Sequence, residues 1–319
     1  MGWSRRHIFG LSAGIISLAL SACTPLPSPV PQARPSAPGV SPTLSEEAAR
    51  STRSFDLERY YARLQADLLT RDLLRTDGGG PDAPFSSRQL AQNFNQIALR
   101  TEYTAVGGRY IEQSEPQTLR RWTTPVRLSL EFGDAVPDAI KSEDRATLTS
   151  LTRRLNRATN HPISATHSGA ANFHIFVLYE NELFDFAPRL TEYMPGIGTD
   201  LISTIQTMDR STFCAVLASD KDDDGKTTNA VAVIRAELPP LQRKSCFHEE
   251  IAQGLGLTND SPYARPSIFN DDDEFATLTQ HDELLLRILY DPRLSPGMPP
   301  EEAGPIAAEI ARELMGEDI

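Results

Sequence analysis

Four short apolar runs set the limits on this chain's fold. Val126–Phe132 alternates apolar with polar residues, as a half-buried strand does, and Phe173–Tyr179 is a compact apolar run. Cys214–Leu217 and Ala230–Ile234 read as the two strands of a hairpin around an acidic turn. Between and after them the period changes to that of helices. Ser142–Thr159 carries Leu148, Leu151 and Leu155 on one face, and Ser245–Leu255 and Thr279–Tyr290 follow the hairpin, the latter with Thr279 and Asp282 in capping-box spacing. Strand, helix, strands, helix, irregular loop, helix is the order of a mixed α/β (α+β) sheet domain.

Helices should precede that sheet. Phe55, Leu57, Tyr60, Tyr61, Leu64, Leu68 and Leu69 recur at three- and four-residue spacing within 44–74, and Gly78-Gly79-Gly80-Pro81 ends the pattern. A second helix should open at Ser86 or Ser87 and run through Leu90, Phe94 and Ile97. The resulting division is a leader at 1–23, a tether at 24–43, an N-terminal helical region at 44–120, the sheet domain at 121–298 and a C-terminal helix at 299–319. No internal repeat and no glycine-rich phosphate loop is found, so solenoid and nucleotide-binding readings lack support. A net charge of −12 over 319 residues excludes a general nucleic-acid binder, which needs a basic surface.

The leader places the chain in the cell envelope. Arg5 and Arg6 form a basic start, the stretch Ile8–Ala22 is uncharged, and Leu20-Ser21-Ala22-Cys23 resembles the bacterial lipobox, in which the cysteine is acylated. Ser4-Arg5-Arg6-His7-Ile8-Phe9 also resembles a twin-arginine export signal, so the export route stays open. Thr24–Pro42 holds seven prolines and one charge, Arg34, the composition of an extended spacer. Elsewhere no run approaches the roughly 18 apolar residues that span a bilayer. The expectation is a periplasm-facing domain anchored by lipid on Cys23, at the outer membrane by analogy, because Thr24 is not the aspartate that commonly retains lipoproteins at the inner one. In that oxidising compartment the two remaining cysteines, Cys214 and Cys246, are expected to pair.

One segment carries a chemical pattern. His248-Glu249 begins like the zinc-peptidase motif H-E-x-x-H, but the second histidine position is Ala252. Shifted by one residue, Glu249-Glu250-x-x-Gln253-x-x-Gly256-x-x-Asn259 has the spacing of the metzincin signature, with Glu249, Gln253 and Asn259 at the three histidine positions and Glu250 where the general base belongs. Gly256 should end the helix in a left-handed conformation. Ser267-Ile268-Phe269 resembles the turn that lies below the metal in those enzymes, and Leu278–Tyr290 their closing helix. The whole set, with Leu90–Phe94, Arg121-Trp122 and Pro125-Val126 upstream, resembles the bacterial domain-of-unknown-function family 2927. The resemblance implies a metzincin-like sheet with an active-site-type helix and a secreted architecture, and brings no assigned activity.

Three readings of the segment stand open. Glu249, Glu250 and Gln253 could hydrogen-bond within a helix–loop junction that holds no metal. Their oxygens could instead take a hard divalent cation such as calcium in place of zinc. A working metallopeptidase would use Glu250 as its base. His248 lies about 100° around the helix from Glu249 and is expected to serve packing. Asp220–Gly225 matches the first half of a calcium loop, but its twelfth position is Val231, so a polar hairpin turn with Gly225 at positive φ is expected. Asn270–Glu274 reads as a solvated acidic loop. The functional expectation is a non-catalytic module that binds a protein, peptide or envelope polymer, against a metal-dependent peptidase or a purely structural component.

Overall fold

The computed structural model describes residues 2–5, 50–106, 109–166 and 169–317. Most of the leader, the tether, Cys23 and His167 lie outside the described residues. Elements in chain order are β1 Gly2–Arg5, α1 Thr52–Thr70, α2 Ser87–Ala98, the hairpin β2 Tyr103–Val106 and β3 Arg109–Glu112, β4 Arg121–Trp122, β5 Val126–Phe132, α3 Asp138–Thr159, β6 Ile163–Ala165 and β7 Phe173–Leu178. Then come α4 Glu180–Phe186, α5 Leu190–Tyr193, α6 Thr199–Gln206, β8 Thr212–Ser219, β9 Lys226–Thr227, β10 Asn229–Arg235, α7 Pro240–Gly254, α8 Gln280–Leu289 and α9 Pro300–Leu314.

The main sheet runs β1-β8-β10-β7-β5-β6. Its five pairings are mixed: β10 is parallel to β7, β7 to β5 and β5 to β6, while β8 is antiparallel to β10 and to β1. Strand period two divides the apolar side chains between two layers. Phe173, Ile175 and Val177 of β7, Val216 of β8 and Ala230, Ala232 and Ile234 of β10 face the larger core with α2, α3, α7, α8 and α9. Phe176, Leu178, Ala215, Leu217, Val231 and Val233 face the smaller one under α4–α6. Both faces being covered explains why these strands are nearly continuous apolar runs. The larger core reaches from Leu57 to Ala311, so the N-terminal helices, the sheet and the C-terminal helix share it.

Three helix boundaries differ from the sequence expectation, and the helix expected from Ser142 begins four residues earlier, at Asp138. The first helix stops at Thr70, because Asp72 and Leu74 take positive φ and Leu74 and Arg75 donate their N–H groups to Asp273 O and Glu274 O, both at 2.8 Å. The glycine run is therefore downstream of the true stop. Residues 270–274 are correspondingly tied down: Glu274 accepts from Arg75 and Arg265 at 2.9 and 2.6 Å. The helix expected from Ser245 begins five residues earlier, where Pro240 occupies the first turn, a position whose N–H would have no partner anyway. Ser86 caps α2 and Thr279 caps α8, each in a complete capping box, as the spacing predicts.

Candidate functional site

The site is built on α7, which is held from three sides. Cys246 on the helix is disulfide-bonded to Cys214 on β8, with Cα atoms 5.9 Å apart. Arg243 is 1% exposed and grips Asp144 of α3 through Nε at 2.7 and 2.9 Å, while Nη1 donates to Leu238 O. The last carbonyls, which lack partners inside any helix, receive Trp122 Nε1 on Gly254 O at 2.8 Å and the Tyr290 hydroxyl on Leu255 O at 3.0 Å. Gly254 lets Phe173 approach, since a Cβ there would lie 2.5 Å from the ring. Gly256 leaves the helix at φ +126°, against Arg120 O, as the signature spacing requires.

This anchoring buries the polar residues of the motif. Glu250 is 0% exposed, Gln253 1%, and Glu249 and Asn259 5%. Among the described residues, ligand-type atoms of Glu249, Glu250 and Cys214 lie within 4.8 Å of one another. The Cys214 sulfur is committed to the disulfide, so the chemistry belongs to the two carboxylates. Two full charges at that separation repel by about 3 kcal/mol at an effective dielectric constant of about 20. Neither oxygen of Glu250 has a hydrogen-bond partner, and neither has either oxygen of Asp260. Burial raises the Glu250 carboxyl well above the usual range, and the charges of Glu249 and Glu102 push the same way. Asp260 is raised by burial and then by Glu102, Asp271, Glu249 and Glu250. Glu249 and Glu250 thus make a buried acidic pit, on which Asp260 and Glu102, not singled out by sequence, bear through their charge. Asp260 adjoins Asn259 and could have been noticed; Glu102 follows α2 and had no local signal.

The predicted ligand positions do not behave alike. Glu249 lies in the pit. Gln253, one turn on, has no partner for either amide atom and borders a cavity of about 30 Å³ with Gln117, Arg120 and Thr227, room for a single water. Asn259 turns its Nδ2 away to Gln96 O at 2.8 Å and Ser114 Oγ at 3.3 Å, and its backbone N–H bonds Ile97 O. It fastens the loop to the end of α2. Ser267 donates to Asp282 Oδ1, and the Asp282 carboxylate also takes the Ile268 and Thr279 N–H groups, so Ser267-Ile268-Phe269 is a turn locked onto the start of α8. Phe269 is fully buried.

Imidazole is absent from the pit among the described residues. His248 points the other way, its Nδ1 accepting Leu278 N–H at 3.1 Å, and burial lowers its pKa to about 3, so it stays neutral. His281 pairs with Asn93 on α2. Asp220 spends its carboxylate on the Asp224 and Gly225 N–H groups, with Gly225 at φ +79°, which makes the half calcium loop a hairpin tip.

Residues 87–309 match the family described as a protein of unknown function, DUF2927. The chain belongs to this family. The match opens at the first residue of α2 and closes inside α9, so the DUF2927 region takes in every strand of the main sheet but β1, together with the acidic helix α7 and α8. No curated protein matches the chain. No helix among the described residues is long and apolar enough to cross a membrane.

Proposed function

We propose that this DUF2927 chain is a cell-envelope lipoprotein, acylated on Cys23, whose folded domain binds an extended polypeptide along the outer edge of β8. One observation carries the reading. Gly2–Arg5 lies antiparallel on that edge, with Gly2 opposite Val216 and Trp3 opposite Ala215, and touches α7. The sheet therefore accepts a strand there from a sequence that, on the leader reading, export removes. A mature domain would then carry a row of unpaired backbone groups beside the acidic helix, the arrangement used for recognition by strand addition. Main-chain bonds give such a site affinity without demanding one sequence, and the neighbouring carboxylates favour basic segments.

The test is a titration of a soluble form starting at Thr24, which lacks the lipid-bearing Cys23, with a labelled synthetic peptide of residues 1–9, followed by anisotropy and amide exchange. Saturable binding with new protection within 212–219, lost when the peptide's Trp3 is replaced by proline, supports the proposal. Absence of binding, or protection located elsewhere, overturns it. Retention of a Cys23→Ser protein in the membrane fraction would refute the lipid anchor separately.

A further inference from the structure

We propose that the cavity between α3 and α7 binds one tetrahedral oxyanion of the phosphate class through Arg154, Lys244 and His248. The cavity measures about 320 Å³ and has a one-sided charge: Arg154 and Lys244 line it and, among the described residues, no carboxylate does. In a chain of net charge −12 that grouping runs against the composition. The acids close by are spent elsewhere. Glu143 and Asp144 pair with Arg243, and Glu283 holds Arg154 through Nε. Lys244 has no ion-pair partner among the described residues, so its positive charge is left for whatever enters the cavity.

A buried donor points to the same ligand independently. His248 is 5% exposed, and its Nδ1 accepts Leu278 N–H, so the neutral ring carries its proton on Nε2. That second N–H has no acceptor among the described residues, and the ring lines the cavity. Burial, and then the charges of Arg154 and Lys244, keep the ring neutral, a donor that needs no protonation. Leu278 fixes both groups in advance: its N–H holds His248, and its carbonyl accepts Arg154 Nη2 at 2.7 Å, which leaves Nη1 unspent. Donor geometry then selects the ligand. Thr147 and Ser150 add hydroxyls from α3 and Thr277 one from the approach to α8, so donors reach the cavity from three segments. A planar carboxylate is met by a single guanidinium fork, whereas a tetrahedral oxyanion presents oxygens in several directions and takes charge-assisted bonds along them. The volume lies at the small end of ligand pockets, about 300 to 1,000 Å³, so a small phosphomonoester fits as well as the free anion. The proposal is independent of strand addition at β8.

The experiment uses the purified protein in phosphate-free buffer. Isothermal calorimetry with inorganic phosphate should give one saturable site, weakened by added salt and not matched by acetate. Bound phosphate should shield the Lys244 ammonium from acetylation, mapped by peptide mass spectrometry, while Lys221 and Lys226 at the acidic hairpin react as before. His248→Asn keeps an acceptor for Leu278 N–H and removes the Nε2 donor. That variant and Lys244→Gln should each weaken phosphate binding about tenfold with the circular dichroism spectrum kept. Tighter binding of phenyl phosphate than of inorganic phosphate assigns the site to a phosphomonoester, and affinity no better assigns it to the free anion; either supports the proposal. Should a variant fail to fold, shielding of Lys244 in the wild type decides. No saturable binding, acetate binding as tight as phosphate, Lys244 left unshielded, or unchanged affinity in both variants would each overturn it.

Discussion

Replacing Cys214 and Cys246 together by alanine should destabilise the domain by about 4 to 5 kcal/mol. The cross-link joins residues 32 apart in sequence. In the chain-entropy description, closing a loop of that length removes about 12 cal/mol/K from the unfolded ensemble, which is about 3.7 kcal/mol at 25 °C. Both sulfurs are buried, and vacating them adds about 1 kcal/mol of lost packing. For a domain of this size the total corresponds to a fall in melting temperature of roughly 8–20 °C. Urea unfolding of oxidised wild type and double variant, followed by circular dichroism, measures it. The urea slope should also rise, because an unlinked denatured chain exposes more surface. A loss below about 1.5 kcal/mol with an unchanged slope would show that the disulfide does not constrain the unfolded chain as argued.

Three further outcomes follow from buried polar groups and one close approach. Arg243→Met strands Asp144 without its cation and should cost about 3–5 kcal/mol, read by the same urea assay. Glu237 is 1% exposed, accepts from Ser54 Oγ at 2.8 Å and Glu180 N–H at 2.7 Å, and is held above the usual carboxylate range by burial. With the folded pKa raised, the folded state retains a proton that the unfolded chain releases, so stability is full below about pH 4.5 and declines as pH rises through the folded value. Glu237→Gln should therefore gain on wild type progressively from pH 4.5 to 7, by at most about 1.4 kcal/mol per pH unit, in melting scans across that range; a constant difference would refute this. Gly254→Ala should cost about 1–3 kcal/mol despite alanine's better helix propensity, because Phe173 stands 2.5 Å from the added Cβ; thermal melting tests it.

Features encoded in neighbouring residues were legible in the sequence. The bounds of Val126–Phe132, the caps at Ser86 and Thr279, the left-handed Gly256 and the turn of His248 away from Glu249 all follow from period and local stereochemistry. Contacts between distant segments were not. The stop of α1 at Thr70 depends on main-chain bonds to Asp273 and Glu274 some 200 residues away, and no local pattern reports them. The true start of α7 at Pro240 lies five residues before the expected Ser245. The acidic pit was half visible: Glu249 and Glu250 stood out by spacing, whereas the charge of Glu102 bears on them only through the fold, and Asn259 is drawn off by the end of α2.

The packing of α2 against α9 has a consequence for synthesis. Gly304 on α9 lies close enough to Asn95 on α2 that an added Cβ would stand 3.3 Å from the amide oxygen, and Phe94 and Ile97 share their core with Ala307 and Ile310. A chain that emerges N-terminus first presents these α2 side chains early and receives their cover only with its final segment. Until then about two hundred residues of loop must be closed by chance encounter, which slows assembly and leaves greasy surface open to misadventure. On the proposed export reading, a chain built this way either completes its fold before crossing the membrane or needs an escort while it crosses, and truncation at Pro299 should expose that dependence.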